Sequence, residues 1–260
     1  MAGLHLPAAL AAVTRGATWR PVTIGLSGVQ TYRLETEGRT ARYLKRSPTN
    51  LGRPLAPERD RLVWLTGRLP VPEVLHFSEE EDGEYLFLSE VPGRMACDPA
   101  LDPARVAVLL AEGLRMIHAV PVADCPFDQR LAVTVEQARR QVLTGNVDEA
   151  AFDELRRGRT AQEVFQEVLQ TQPASEDLVF THGDYCLPNV LLDPDRWRIG
   201  GFIDWDRGGV ADRYQDLALA ARSLTHNFDA RWAPKLFEAY GLEHVDQEKA
   251  AFYQLLDELF

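Results

Sequence analysis

The stretch from Thr181 to Asp206 reads THGDYCLPNVLLDPDRWRIGGFIDWD. Its first part is H-x-D-x-x-x-x-N, built on His182, Asp184 and Asn189, and the rest reads as a β-hairpin that runs into Ile203 and Asp204. This order predicts that a carboxylate, an amide and a second carboxylate converge on one point. Moving a phosphoryl group from a nucleoside triphosphate to an alcohol needs such a set. One carboxylate orients the attacking hydroxyl, and hard oxygen ligands hold the magnesium ion that bridges the phosphates. Asp184 is therefore the candidate base, and Asn189 and Asp204 are the candidate magnesium ligands. His182, at the first position of H-x-D, is expected to shape the loop by hydrogen bonding. Cys186 lies inside the loop without an activating partner in sequence, so it reads as a packing residue.

The spacing matches the H-R-D-L-x-x-x-N catalytic loop of protein kinases, with glycine in place of arginine. Upstream, residues 22–46 alternate as short strands, VTIGLS, QTYRLET and TARYLKRS, and predict a small antiparallel sheet. GLSG, at Gly25 to Gly28, falls where a phosphate-covering loop would lie, although it is not G-x-G-x-x-G. Lys45 closes the third strand. Glu58 follows on a predicted helix over 57–69 that opens with proline and acids. Lysine, then glutamate, then H-x-D-x-x-x-x-N, then aspartate is the kinase order along the chain. Two more strands surround the Glu81-Asp82-Gly83 turn, and Val91-Pro92-Gly93 reads as a hinge.

Beyond the hinge the hydrophobic period changes from two to 3.6. Asp102 is a good N-cap, Pro103 opens a helix, and Val106, Leu109, Leu110, Leu114 and Ile117 form its buried stripe. Further helices are predicted over 134–143 and 160–170, separated by the acidic segment NVDEAAFDEL. Two or three more close the chain. The expectation is an α+β, bilobal, protein-kinase-like fold: a β-sheet lobe for the nucleotide over residues 1–93, and a helical lobe with the catalytic loop and substrate site over 94–260.

The 260 residues are 45% hydrophobic and 26% charged, with a net charge of -11. These proportions suit a globular chain with a substantial core. The negative charge argues against nucleic acid or an anionic membrane as partner and permits a cationic ligand. Three cysteines without CxxC spacing suggest neither a disulfide framework nor a zinc site, and a reducing cytoplasm fits them. The mildly apolar N-terminus lacks a basic region and reads as an amphipathic opening helix.

THGDYCLPNVLL, GFIDWDRGGVADRYQDLALAARS and FYQLLDELF, with WLTGRLPVPEVLHF and SEVPG in the first half, resemble the aminoglycoside 3'-phosphotransferases. These are bacterial enzymes that inactivate kanamycin- and neomycin-type antibiotics. The resemblance implies ATP and Mg2+ as cofactors and leaves open whether GTP substitutes for ATP, and whether the protein is a monomer or a dimer. It implies that Ser27 covers the β-phosphate, Tyr43 stacks on the base, Lys45 and Glu58 form an ion pair, and backbone from Ser89 to Val91 meets the base edge. Arg207 would pair with acids near the reaction centre, and Asp216 would brace the catalytic loop. A polycationic substrate would be held by Asp153, Glu154, Asp257, Glu258 and the α-carboxylate of Phe260, in the neighbourhood of Arg207 and Arg222. Such carboxylates would make charge-assisted hydrogen bonds to protonated amino sugars. Some relatives carry an acid after the arginine matching Arg222, where this chain has Ser223, Thr225, His226 and Asn227. The alternative is a kinase of another small-molecule alcohol, such as a macrolide, choline or a sugar, on the same scaffold.

Overall fold

The computed structural model describes residues 6–24 and 28–260. The chain divides into two compact units, Met1–Gly93 with Gly200–Asp206, and Arg94–Ile199 with Arg207–Phe260.

The first unit begins with a short helix α1 (Ala8–Val13) and strands β1 (Thr18–Val22), β2 (Gln30–Glu35) and β3 (Arg42–Pro48). Helix α2 (Ala56–Leu65) and strands β4 (Val74–Glu80) and β5 (Gly83–Ser89) follow. The five strands form an antiparallel sheet in the order β1-β2-β3-β5-β4. One face is closed by Leu10, Leu34, Leu44, Tyr85 and Phe87, each at most 3% exposed. The first strand ends at Val22, where the expected VTIGLS begins, and residues 25–27 of that stretch lie outside the described residues. Strand β1 contains Pro21, which an edge strand tolerates because one of its sides needs no ladder donors. On β3 the period of two sends Leu44 into this core and turns Tyr43 and Lys45 to the opposite face.

Helix α2 has no side-chain cap of its own. Glu84, from β5, accepts the N–H groups of Leu55 and Ala56 at 2.6 and 2.9 Å and satisfies the orphan donors of its first turn. That fixes the end of the helix from which Glu58 projects.

The second unit contains β6 (Arg94–Met95), α3 (Pro103–His118), α4 (Leu131–Thr144), α5 (Ala161–Gln170), β7 (Leu178–Thr181) and β8 (Val190–Asp193). Strand β9 (Arg198–Phe202) starts here, and β10 (Gly209–Asp212), α6 (Tyr214–Asn227), α7 (Trp232–Tyr240) and α8 (Gln247–Asp257) complete it. Asp102 caps α3 through Ala104 N–H, and Val106, Leu110, Leu114 and Ile117 are fully buried, as the 3.6-residue stripe predicts. Thr160 and Glu163 form a capping box at the start of α5. Helices α4, α5 and α8 share a core around Val135, Val164, Phe165, Phe252, Leu256 and Leu259. The acidic segment before α5 is a 3-10 turn over Glu149–Ala151, not part of a helix. Among the described residues no helix is long and apolar enough to cross a membrane.

Candidate active site

The catalytic loop belongs to the second unit and leaves β7 after Thr181. Gly183 has φ +84, and a Cβ there would lie 2.2 Å from the carbonyl oxygen of Arg207, so no side chain fits between His182 and Asp184. His182 is fully buried and its Nδ1 accepts the N–H of Asp184 at 3.3 Å. The loop then turns through Cys186 into a 3-10 turn, Leu187–Asn189.

Asn189 ends that turn. Its Nδ2 donates to the Asp184 carbonyl at 3.0 Å and to Asp184 Oδ2 at 2.9 Å. This fixes one oxygen of the candidate base. It also turns the Asn189 amide oxygen away from Asp184, and that oxygen accepts from no described residue.

A buried carboxylate holds the loop from below. Asp216, in the first turn of α6, accepts His182 N–H at 2.7 Å and Gly183 N–H at 2.9 Å, and its Oδ2 lies 3.2 Å from His118 Nε2. Gln215 Nε2 donates to the Gly183 carbonyl at 3.2 Å, and the Tyr185 hydroxyl donates to Leu110 O on α3 at 2.9 Å. Apart from His118, which is partly exposed, these partners are buried, where an unmet hydrogen bond costs most. The loop is thus held rigid around Asp184.

In the first unit, Lys45 Nζ lies 2.7 and 2.8 Å from the two oxygens of Glu58 and also bonds Asp204 Oδ1. Burial would lower the lysine's pKa, but Asp204 and Glu58 together raise it, so Lys45 carries its charge. Burial raises the Glu58 carboxyl to about 7, against the lowering effect of Lys45. Asp204 sits at φ +62, a left-handed conformation that aspartate tolerates better than most residues and that is often found where function fixes the backbone. Its side chain keeps 42% of its surface, so the carboxylate is open to a ligand.

The raised folded pKa of Glu58 gives a signed prediction. Its contribution to stability is complete below the ordinary carboxyl value of 4.5 and is lost as pH rises through about 7. Between pH 5 and 8 the Tm of Glu58→Gln should therefore gain on that of the wild type. A Tm difference that stays constant over this range contradicts the burial argument.

Tyr43 stands two residues before Lys45 on the same face of β3, with Arg33 and Leu88 opposite it in the sheet. Ser89 is taken up locally: its hydroxyl accepts Glu73 N–H at 2.8 Å and its N–H donates to Glu73 O at 3.0 Å. The backbone of Val91 makes no hydrogen bond to any described residue. Ser27 lies outside the described residues.

The acids expected to hold a cationic substrate are less open than the sequence suggests. Asp257 accepts from Arg207 Nη1 at 2.7 Å and pairs with Arg222, and Glu258 bonds Arg222 Nη1 and the N–H of Asp153, both at 2.9 Å. Despite burial, the two arginines hold the Asp257 carboxyl below its usual range. The Asp153 carboxylate pairs with Arg156. Glu154 is largely exposed and pairs with Arg157 at 3.3 Å, away from this cluster's partners. Phe260 places its ring 4.6 Å from the Arg207 guanidinium. Arg207, Arg222, Asp153, Asp257 and Glu258 are thus one network, and Glu154 stands outside it.

Residues 18–253 match the phosphotransferase enzyme family. An aminoglycoside 3'-phosphotransferase of Streptomyces ribosidificus is 43% identical, over 94% of this chain and 95% of its own length. The chain belongs to the aminoglycoside phosphotransferase family. The crystal structure of an aminoglycoside 3'-phosphotransferase of type VIII superposes with a TM-score of 0.88 at 41% identity, covering 97% of both chains. A Streptomyces rimosus aminoglycoside phosphotransferase, APH(3'')-Id, in complex with ADP and streptomycin gives 0.81 at 32%, covering 96% and 95%.

Several supports of this phosphotransferase site carried no separate signal in the sequence. His118 is the last residue of α3 and reads as an ordinary helix end. Gln215 adjoins the aspartate that draws attention, and Glu84 acts on a helix 28 residues away. The one hint was spacing: buried polar residues on α6 fall on the face where that helix should be apolar.

Proposed function

We propose that the protein transfers the γ-phosphoryl group of ATP to a hydroxyl of an aminoglycoside, the 3'-hydroxyl first among them. The carrying observation is the bond from Asn189 Nδ2 to Asp184 Oδ2, which fixes the base and aims the asparagine's oxygen elsewhere. Asp184 accepts the proton of the attacking hydroxyl as the new P–O bond forms, the bond to the β,γ-bridging oxygen breaks, and ADP leaves. Lys45, held charged by Glu58, takes the phosphate oxygens, and the unengaged backbone of Val91 suits the edge of the base.

The Asn189 amide oxygen and the half-exposed Asp204 carboxylate are each, taken by itself, a hard oxygen ligand of the kind magnesium prefers. Magnesium usually keeps several waters and is held by one or two carboxylates with substrate phosphates, so two protein ligands would suffice. Bound there by Asn189 and Asp204, magnesium would neutralise charge building on the triphosphate. A chain with net charge -11 also favours approach of a polycation.

The test is to incubate the purified protein with ATP, magnesium and kanamycin, and to locate the added phosphate by mass spectrometry and NMR. A phosphorylated product with 3'-hydroxyl drugs and none with 3'-deoxy drugs is expected. No phosphorylated drug across a panel of aminoglycosides would overturn the reading. A second arm uses streptomycin, because the relative that binds it is similar over nearly the whole chain; turnover there alone would move the assignment to the 3''-hydroxyl.

A further inference from the structure

Helix α6 carries Asp216 and Ser223 seven residues apart, which is two turns, so both face the same side about 10 Å apart along the axis. Asp216 takes the start of the catalytic loop, at His182 and Gly183. Ser223 takes its far end. The hydroxyl oxygen of Ser223 accepts the N–H of Leu187 at 2.9 Å.

Leu187 opens the 3-10 turn that ends in Asn189, and Cys186 before it offers no side-chain cap. The Leu187 N–H would otherwise be an orphan at the head of that turn. A serine inside a helix usually returns its hydroxyl to the carbonyl four residues back, as Thr225 does to Ala221 at 2.9 Å. Ser223 is instead turned toward the loop, and Asn227 Nδ2 braces it by donating to its hydroxyl at 3.3 Å and its carbonyl at 2.8 Å. Ser223, braced by Asn227, thus makes a cap supplied from another element.

We infer that Ser223 is a positioning residue for the phosphoryl-transfer centre: by capping the Leu187–Asn189 turn it sets where the Asn189 amide points, and through that amide the orientation of Asp184. The inference rests on the proposed phosphotransfer and adds a residue that touches neither substrate nor nucleotide in that scheme.

Ser223→Ala removes the acceptor, and Ser223→Thr keeps a hydroxyl at the same Cβ. In Ser223→Ala the Leu187 amide should exchange its hydrogen faster, and the magnesium concentration for half-maximal ATP-analogue binding should rise about three- to tenfold, the effect of one lost hydrogen bond. Ser223→Thr should restore both. KM for the aminoglycoside should stay near wild type in each variant, which separates a positioned loop from a substrate contact. If Ser223→Ala folds poorly, Ser223→Cys, a weaker acceptor, carries the same comparison. Unchanged Leu187 exchange in the alanine variant, a threonine variant as impaired as alanine, or a rise confined to aminoglycoside KM would overturn the inference. Exchange and magnesium-dependent nucleotide binding are read without turnover, so their failure is distinct from a failure to phosphorylate aminoglycosides.

Discussion

Replacing Asp184 by asparagine is expected to lower kcat by about 10²- to 10⁴-fold, the usual yield of a positioned general base. The substitution keeps the shape of the side chain and an oxygen that can still accept from Asn189 Nδ2, so the loop should remain folded. Backbone contacts that hold the loop do not involve the Asp184 carboxylate: Asp216 takes the His182 and Gly183 amides, Tyr185 is tied to α3, and His182 accepts the Asp184 N–H. Nucleotide affinity and Tm should therefore change little while turnover collapses. In Asp184→Asn the loss should appear equally in kcat and kcat/KM for the aminoglycoside, as for an interaction made only in the transition state. A variant that retains more than about a tenth of wild-type kcat would contradict the role of base.

How much of this was readable in advance depended on the range of each interaction. Asp184 and Asn189 were visible because both lie in one short loop, where spacing alone brings them together. Helix α3 was visible for a similar reason, since its cap, its first-turn proline and its apolar stripe are all local. Lys45 and Glu58 are 13 residues apart, and only their order pointed to a pair. The edge strand shows the limit of alternation: Thr18–Val22 has no clear alternation and contains a proline, yet pairs residue for residue with β2 because only one of its sides needs donors. Of the second unit's ion network, the family resemblance implied only that Arg207 pairs with acids, and spacing did not say which. Asp257 and Glu258 read as acids that fit a cation, and the fold identifies Asp257 as the acid shared by Arg207 and Arg222, 50 and 35 residues away.

That network carries the second large expectation. Asp257→Ala should destabilise the protein by about 3 kcal/mol, because breaking a buried ion pair leaves charge without a partner. Here two guanidinium groups lose it at once. The Asp257 side chain is 10% exposed, whereas Arg207 and Arg222 keep 26% and 32%, so water can relieve part of the penalty and the lower end of the usual range applies. For a chain of this length the corresponding drop in Tm is roughly 6–12 °C. The folded pKa of Asp257 lies below its unfolded value, so its contribution is present above the ordinary carboxyl value of 3.8 and is lost as pH falls through the folded one. The penalty of Asp257→Ala should accordingly be full at pH 7 and shrink in strong acid. Arg222 keeps its bond to Glu258 in that variant, so Arg222→Met should add less than its own full cost to Asp257→Ala, and the shortfall measures the Asp257–Arg222 coupling. If Asp257→Ala instead keeps the wild-type Tm and only raises KM for the aminoglycoside, the carboxylate serves the substrate rather than the fold, and the arginines hold it in place for that purpose.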